Sequence, residues 1–266
     1  MTTKITNVIK VSLAHLGEEE LEEVRSAFEY GYFGLAYNVD EFETQVGKYI
    51  GAKHVVATNT GTSALHVAID VLGLQPGDEV IVPSLTFVAS FQAITAVGAI
   101  PVPCDVDADT LCMDPKDVEK RITSKTKVLM PIHYGGYPCD MSALMDLKEK
   151  HELRIIEDAA HAFGSTYKGK MIGSFGDITC FSFGSQKNIT CAECRGAAAA
   201  VGGCAYRSGA RPGLCLCLSG QSGAAAGNGR RADFLLAADR RDTAGGGQCV
   251  SARRLSRAAR RYAGWQ

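Results

Sequence analysis

The sequence predicts an α/β domain: a mainly parallel sheet flanked by helices. Three observations carry this. Helix and strand patterns alternate from the N-terminal region to about residue 190. The strands are apolar on both faces, as in sheets covered from both sides. Residues able to bind or react follow successive strands, at Asn59–Thr62, Phe87, His133 and Asp158, and parallel sheets bind ligands beyond the carboxyl ends of their strands.

Taken in order, LGEEELEEVRSAFEYG (16–31) reads as an amphipathic helix and VDEFETQVGKYIG (39–51) as a second, closed by Gly51. HVVAT (54–58) is a buried strand and TSALHVAIDVLG (62–73) a helix ended by Gly73. After PGD comes the strand EVIVP (79–83); TFVASFQAITAVG (86–98) reads as helical, and AIPVPCD (99–105) as a short strand. DPKDVEKRI (114–122) is a helix with Pro115 in its first turn. KVLMPIH (127–133) is a strand, MSALMDLKEKH (141–151) a helix, LRIIED (153–158) a strand and DITCFSF (177–183) a last strand.

At 266 residues, with a hydrophobic fraction of 46 % and a net charge of −1, the chain has the composition of a globular protein able to bury a core. The N-terminal segment has neither a long apolar run nor a small-residue cleavage pattern, and no stretch has the length of a membrane span, so a cytoplasmic protein is expected.

The net charge conceals a division. Residues 1–193 carry 16 Lys+Arg against 26 Asp+Glu, whereas residues 194–266 carry 12 Arg, no Lys and three Asp. From Cys194 onward the text is rich in Ala, Gly and Arg, lacks Ile, Lys, Glu, His and Met, and shows no sustained period. One reading is a disordered basic tail for an acidic partner. The other is GC-rich DNA translated out of frame, which fits better because the change falls inside a continuing domain. Little packed structure is expected after about residue 194. The domain division is therefore 1–193, an incomplete large domain, and 194–266, an aberrant tail.

Cys104, Cys112, Cys139 and Cys180 are scattered, as small apolar core residues are. Cys191 and Cys194 form a CxxC, but no second tight pair and no histidine after His161 accompanies it, so no metal site is expected.

NTGTSAL (59–65) joins a strand to a helix through small residues: Gly61 permits close backbone approach, and free N–H groups at a helix start favour an anion such as phosphate. The ordinary alternative is a turn with an N-cap by Thr62 or Ser63. Asp158 ends an apolar strand, where a buried carboxylate needs a cationic partner such as a protonated pyridine nitrogen; an N-cap or a salt bridge is the alternative. His161 can hydrogen-bond a ligand or serve a structural role. Lys187 follows an apolar strand and small polar residues; near phosphate and an aromatic it suits imine chemistry, because desolvation and neighbouring cations favour its neutral, nucleophilic form. In isolation a lysine is a solvated surface residue. Phe87 can stack on a planar ring or belong to the core.

As an ordered set, Gly61-Thr62, Phe87, Asp158, His161, Ser182 and Lys187 resemble the DegT/DnrJ/EryC1/StrS family of sugar aminotransferases, of fold type I among enzymes dependent on pyridoxal 5′-phosphate (PLP). The resemblance spans residues 10–193 and includes GDEVIVPSLTFVAS, PIHYGGYPCDM, EDAAHAFGS and FSFGSQKNITCAE. It implies a fold type I large domain, incomplete at its C-terminus. It implies Lys187 as the Schiff-base lysine and proton shuttle, Asp158 opposite the pyridinium nitrogen, and Phe87 stacked on the ring. Gly61, Thr62 and Ser182 would hold the phosphate. His161, where many members have Gln, would lie near the ring oxygen. A subgroup with His in place of the lysine dehydrates its substrate, so Lys187 implies transamination.

The implied activity is transfer of an amino group from an amino acid, glutamate by resemblance, to a nucleotide-linked keto-sugar, in a homodimer serving polysaccharide or glycoconjugate synthesis. Two alternatives stand beside it: a non-catalytic remnant with a basic tail, and another fold type I enzyme such as a lyase. Family chains continue through a glycine pair after the CAE run and add a C-terminal half with substrate contacts and a phosphate contact across the dimer. Here CRGAAAA follows CAE, so those contacts are not expected of this chain.

Overall fold

The computed structural model describes residues 17–31, 37–184 and 186–189, together with the backbone of Leu214–Leu218. The expected alternation is present. Helices α1 (Glu18–Tyr30) and α2 (Tyr37–Ile50) lead into strand β1 (His54–Thr58), helix α3 (Gly61–Leu72), β2 (Glu79–Pro83), α4 (Val88–Ala96) and β3 (Ile100–Cys104). Then follow α5 (Pro115–Arg121), β4 (Thr126–Leu129), a 3-10 turn (Tyr134–Gly136), α6 (Met141–His151) and β5 (Arg154–Asp158). A two-stranded ribbon of β6 (Thr166–Tyr167) and β7 (Lys170–Met171) precedes β8 (Ile178–Cys180), and β9 is Leu214–Leu218.

Local chemistry sets the helix ends. Asp114 caps α5 by accepting from the Lys116 N–H at 2.9 Å, with Pro115 at the first helical position, where its missing donor is no loss. Asp140 caps α6 through Ala143 N–H at 3.2 Å. Helix α3 begins differently from the expected N-cap at Thr62 or Ser63. Thr60 is the cap: its Oγ1 accepts from the Ser63 N–H at 3.0 Å and pairs with the Ser63 hydroxyl at 2.9 Å. With Thr60 in extended conformation, Gly61 and Thr62 become the first two residues of the helix.

The seven-stranded sheet has the order β1-β9-β8-β5-β4-β2-β3. Strands β3, β2, β4, β5 and β8 run parallel to one another. Strand β9 is antiparallel to both β8 and β1, so β1 runs in the same direction as the parallel set. Strand β3 forms the outer edge and carries Pro101 and Pro103, residues tolerated where one row of N–H groups has no ladder partner.

The two faces of the sheet carry separate cores. Helices α3 and α4 cover one face, where Ala64, Leu65, Ala68, Ile69, Ala93 and Ile94 meet Val80, Val82, Val128, Ile156 and Ile178. Helices α2, α5 and α6 cover the other, where Val46, Ile50, Val118, Met141, Leu144 and Leu147 meet Ile81, Leu129, Ile155 and Phe181. Cys104, Cys112, Cys139 and Cys180 are all buried, as their scattered spacing suggested.

After residue 194, where little packed structure was expected, the described residues are Leu214–Leu218, which pair in register from His54↔Leu218 to Thr58↔Leu214 and lie between β1 and β8. The remainder of the 194–266 segment, and the Cys191/Cys194 motif, lie outside the described residues.

Candidate active site

Because β1, β2, β5 and β8 share a direction, their carboxyl ends lie along one edge of the sheet. All seven sequence-predicted residues are in segments that leave this edge: Gly61 and Thr62 after β1, Phe87 after β2, Asp158 and His161 at the end of β5, Ser182 and Lys187 after β8.

Asp158 is the centre of the arrangement. It is 5 % exposed and lies on the sheet face covered by α3 and α4. Ser90 of α4, itself fully buried, donates its hydroxyl to Asp158 Oδ2 at 3.1 Å, and the Ala160 N–H donates to Oδ1 at 3.2 Å. The Thr86 hydroxyl lies 3.0 Å from the Ser90 hydroxyl and extends the chain. Burial raises the Asp158 carboxyl above the usual carboxylate range, opposed by the Ala160 N–H, the Ser90 hydroxyl and the charges of Lys187 and His161. A carboxyl so placed favours a cationic partner.

Lys187 and His161 thus fall within electrostatic reach of Asp158. His161 is an exposed residue at the rim; its Nδ1 accepts the Gly135 N–H at 3.3 Å, and its ring stands edge-on to Tyr134 at 6.3 Å. Desolvation lowers its pKa, as does the positive charge of Lys187, against the raising influence of Asp158. Lys187 is half-buried, on a turn closed by its own N–H to the Gly184 carbonyl at 3.0 Å. The side chain of Asn188 ties that turn down by donating to the Phe163 carbonyl at 2.5 Å. Phe163 in turn stacks on Tyr49 and packs edge-on against Phe181 and Phe183.

At the start of α3, the Ser63 N–H is taken by Thr60 Oγ1 and the Ala64 N–H by the Thr60 carbonyl, whereas those of Gly61 and Thr62 have no acceptor among the described residues. Two donors at a helix N-terminus attract an anion. Phe87 is 73 % exposed, an aromatic face with apolar contact still to make. Ser182 is half-buried and, by strand alternation from Cys180, lies on the Asp158 face. Donors for an anion, a flat apolar surface and a buried carboxyl beside a lysine suit a planar ligand, anionic at one end and cationic at the other. PLP has that form, so the residues fit it.

Sequence reasoning missed Ser90, Asn188 and Glu157. The signal for Ser90 was a hydroxyl on the buried stripe of α4, in line with Ala89 and Ala93. Glu157 is fully buried in a strand apolar on both faces, which calls for several donors. Among the described residues no group of three His, Cys, Asp or Glu is placed to hold a metal ion. A cleft between Thr123–Lys127 and His151–Glu152 opens at the amino end of β4, away from these residues.

Comparisons with known proteins bear on the same segment. Over 193 residues, 73 % of the chain, it is 42 % identical to the spore coat polysaccharide biosynthesis protein SpsC of Bacillus subtilis, covering 50 % of that protein. It is 48 % identical over 153 residues, 58 % of the chain, to GDP-perosamine synthase of Caulobacter vibrioides, covering 41 % of it. Among solved structures, the PLP form of the sugar aminotransferase Spr1654 from Streptococcus pneumoniae superposes with a TM-score of 0.70 at 34 % identity, over 80 % of this chain and 53 % of that one. A 3-amino-5-hydroxybenzoic acid synthase does so with a TM-score of 0.70 at 33 % identity, over 79 % and 50 %. The chain spans about half the length of these relatives. With its residues 14–199 matching the family model, the chain belongs to the DegT/DnrJ/EryC1/StrS aminotransferase family.

Proposed function

We propose that this chain carries the cofactor-binding half of a PLP-dependent aminotransferase, one that moves an amino group from an amino acid, glutamate by resemblance, to a nucleotide-linked keto-sugar. The observation that carries the reading is the buried Asp158 beside Lys187, with anion donors of α3 on the same sheet edge. The likeness to GDP-perosamine synthase supports a nucleotide-linked sugar, and SpsC supports a place in polysaccharide synthesis. A cytoplasmic homodimer belongs to the same proposal; no helix among the described residues is long and apolar enough to cross a membrane.

Bound PLP supplies an electron-withdrawing ring that carries the amino group between donor and acceptor. Gly61 and Thr62 would hold its phosphate through their backbone N–H groups, with the Ser182 hydroxyl. Asp158, held at both oxygens by Ser90 and Ala160, would pair with its ring nitrogen and favour the protonated form. Phe87 would offer the ring an apolar surface and shield it from water. Lys187 would hold the cofactor through Nζ and serve as the proton carrier for the reacting carbon. His161 would donate a hydrogen bond to the ring oxygen. In the same proposal residues 1–193 form the large domain and residues 194–266 are out-of-frame translation; the family match ends at 199, close to the change in composition.

The test is cofactor capture. Full-length chain supplied with PLP is expected to develop the visible absorbance of a lysine-bound cofactor, and Lys187→Ala to develop none. Wild-type chain without that absorbance, or indistinguishable from Lys187→Ala, overturns the reading.

A further inference from the structure

Glu157 and Asp158 are neighbours on β5 and face opposite sides of the sheet. Asp158 belongs to the site just described. Glu157 lies on the other side, fully buried, and its carboxylate is bound three times: by His133 Nε2 at 3.0 Å, by the Gly176 N–H at 2.7 Å and by the Thr179 hydroxyl at 2.8 Å. His133, also fully buried, accepts the Cys139 N–H on Nδ1 at 3.1 Å. A ring nitrogen that accepts a hydrogen bond carries a lone pair, so the His133 proton sits on Nε2 and points at Glu157. The chain of donors therefore has one direction: Cys139 N–H to His133, His133 to Glu157. Among the described residues no lysine or arginine pairs with Glu157.

The segment bearing His133 also holds the main chain of Asp158. The Asp158 N–H donates to the Pro131 carbonyl at 2.9 Å, and the His133 N–H donates to the Asp158 carbonyl at 3.1 Å. Ile132 and Asp158 form a parallel bridge. Whatever moves His133 moves the peptide groups on both sides of Asp158. On the other flank, Thr179 of β8 lies in register with Glu157 and Cys180 with Asp158.

We propose that the Glu157 carboxylate, acting through His133 and Thr179, is a positioning residue that sets Asp158 for contact with the cofactor's ring nitrogen. This rests on the reading of Asp158 under Proposed function. Glu157→Gln isolates the idea. The amide oxygen still accepts from Gly176 and Thr179, but the amide NH2 then faces the His133 Nε2–H, donor against donor. Moving the His133 proton to Nδ1 transfers the clash to the Cys139 N–H. One buried donor is left unpaired either way, in the segment that grips Asp158.

The experiment uses the full-length chain and PLP, with Leu144→Ala as a control. Leu144 is buried on the same side of the sheet and its side chain has no polar atom to join this hydrogen-bond chain, and the two variants are compared at temperatures equally far below their melting points. Glu157→Gln is expected to weaken PLP binding, read from its visible absorbance, by about tenfold. It is also expected to change the pH at which that band shifts, while Leu144→Ala alters neither. In 15N NMR the wild-type His133 is expected to carry its proton on Nε2. Equal losses in the two variants, wild-type affinity in Glu157→Gln, or a proton on Nδ1 overturns the positioning role. A wild-type chain that takes up no PLP overturns the reading of Asp158 and this inference with it, whereas uptake by wild type with no effect of Glu157→Gln overturns this inference alone.

Discussion

The Ser90 hydroxyl, from the buried stripe of α4, meets the Asp158 carboxylate at 3.1 Å across 68 residues of sequence. It joins the helix that follows Phe87 to the strand end that carries the acid, so two sides of the candidate site are fixed by one contact. Ser90→Ala leaves Asp158 Oδ2 and the Thr86 hydroxyl each short of a buried partner. The expected cost is about 1–3 kcal/mol in a denaturant melt. Weaker PLP binding should accompany it, because Asp158 is then less firmly aimed. Unchanged stability and unchanged cofactor affinity would remove Ser90 from the site.

Burial gives Asp158 a folded-state pKa above its unfolded value. The protonated form is the one folding favours, so its contribution to stability is complete below the ordinary carboxylate range. That contribution is lost as pH rises through the raised value. Without cofactor, the wild-type chain should therefore lose stability across that window relative to Asp158→Asn, which does not titrate. Parallel pH profiles for the two proteins would contradict the assignment of the raised pKa to Asp158.

Asn188 anchors the turn that carries Lys187 to the Phe163 carbonyl. Asn188→Ala should leave the core intact, since Asn188 is exposed, with a stability change of roughly 1 kcal/mol or less. Its effect should fall on the rate at which PLP becomes covalently attached, measured by stopped-flow absorbance. Attachment at the wild-type rate would show that the turn holds its shape without this bond.

Strand β9 is the partner through which β1 joins the sheet. A chain ending at Glu193 should lose protection of the 54–58 amides in hydrogen exchange and melt at lower temperature. It should also bind PLP more weakly, since Gly61 and Thr62 follow β1 directly. Retained protection of those amides would mean that β1 pairs elsewhere.

The alternating helices and strands were legible because the strands of the main sheet read as apolar runs and helices such as α2 and α3 end at a glycine, Gly51 or Gly73, in left-handed conformation. The start of α3 lies one residue before the expected Thr62, and its cap is Thr60 rather than Thr62 or Ser63, because Thr58, Thr60, Thr62 and Ser63 all offer capping oxygens. Only the backbone conformation at Thr60 selects among them. The β6–β7 ribbon has two residues per strand, too few for any period to show. Strand β9 was read as patternless because LCLCL is five residues within text of another composition. Strand order placed the site residues along one edge as the sequence suggested, but it could not reveal contacts such as Ser90–Asp158 or Glu157–His133. Those depend on which face each side chain takes, and on partners 68 and 24 residues away.

The most direct measurement is to treat the full-length chain with PLP, reduce it with borohydride, and map the modified residue by mass spectrometry. A single phosphopyridoxyl group on Lys187, absent when Lys187 is replaced by alanine, is the predicted result. Modification spread over surface lysines, or unchanged by Lys187→Ala, would contradict the account.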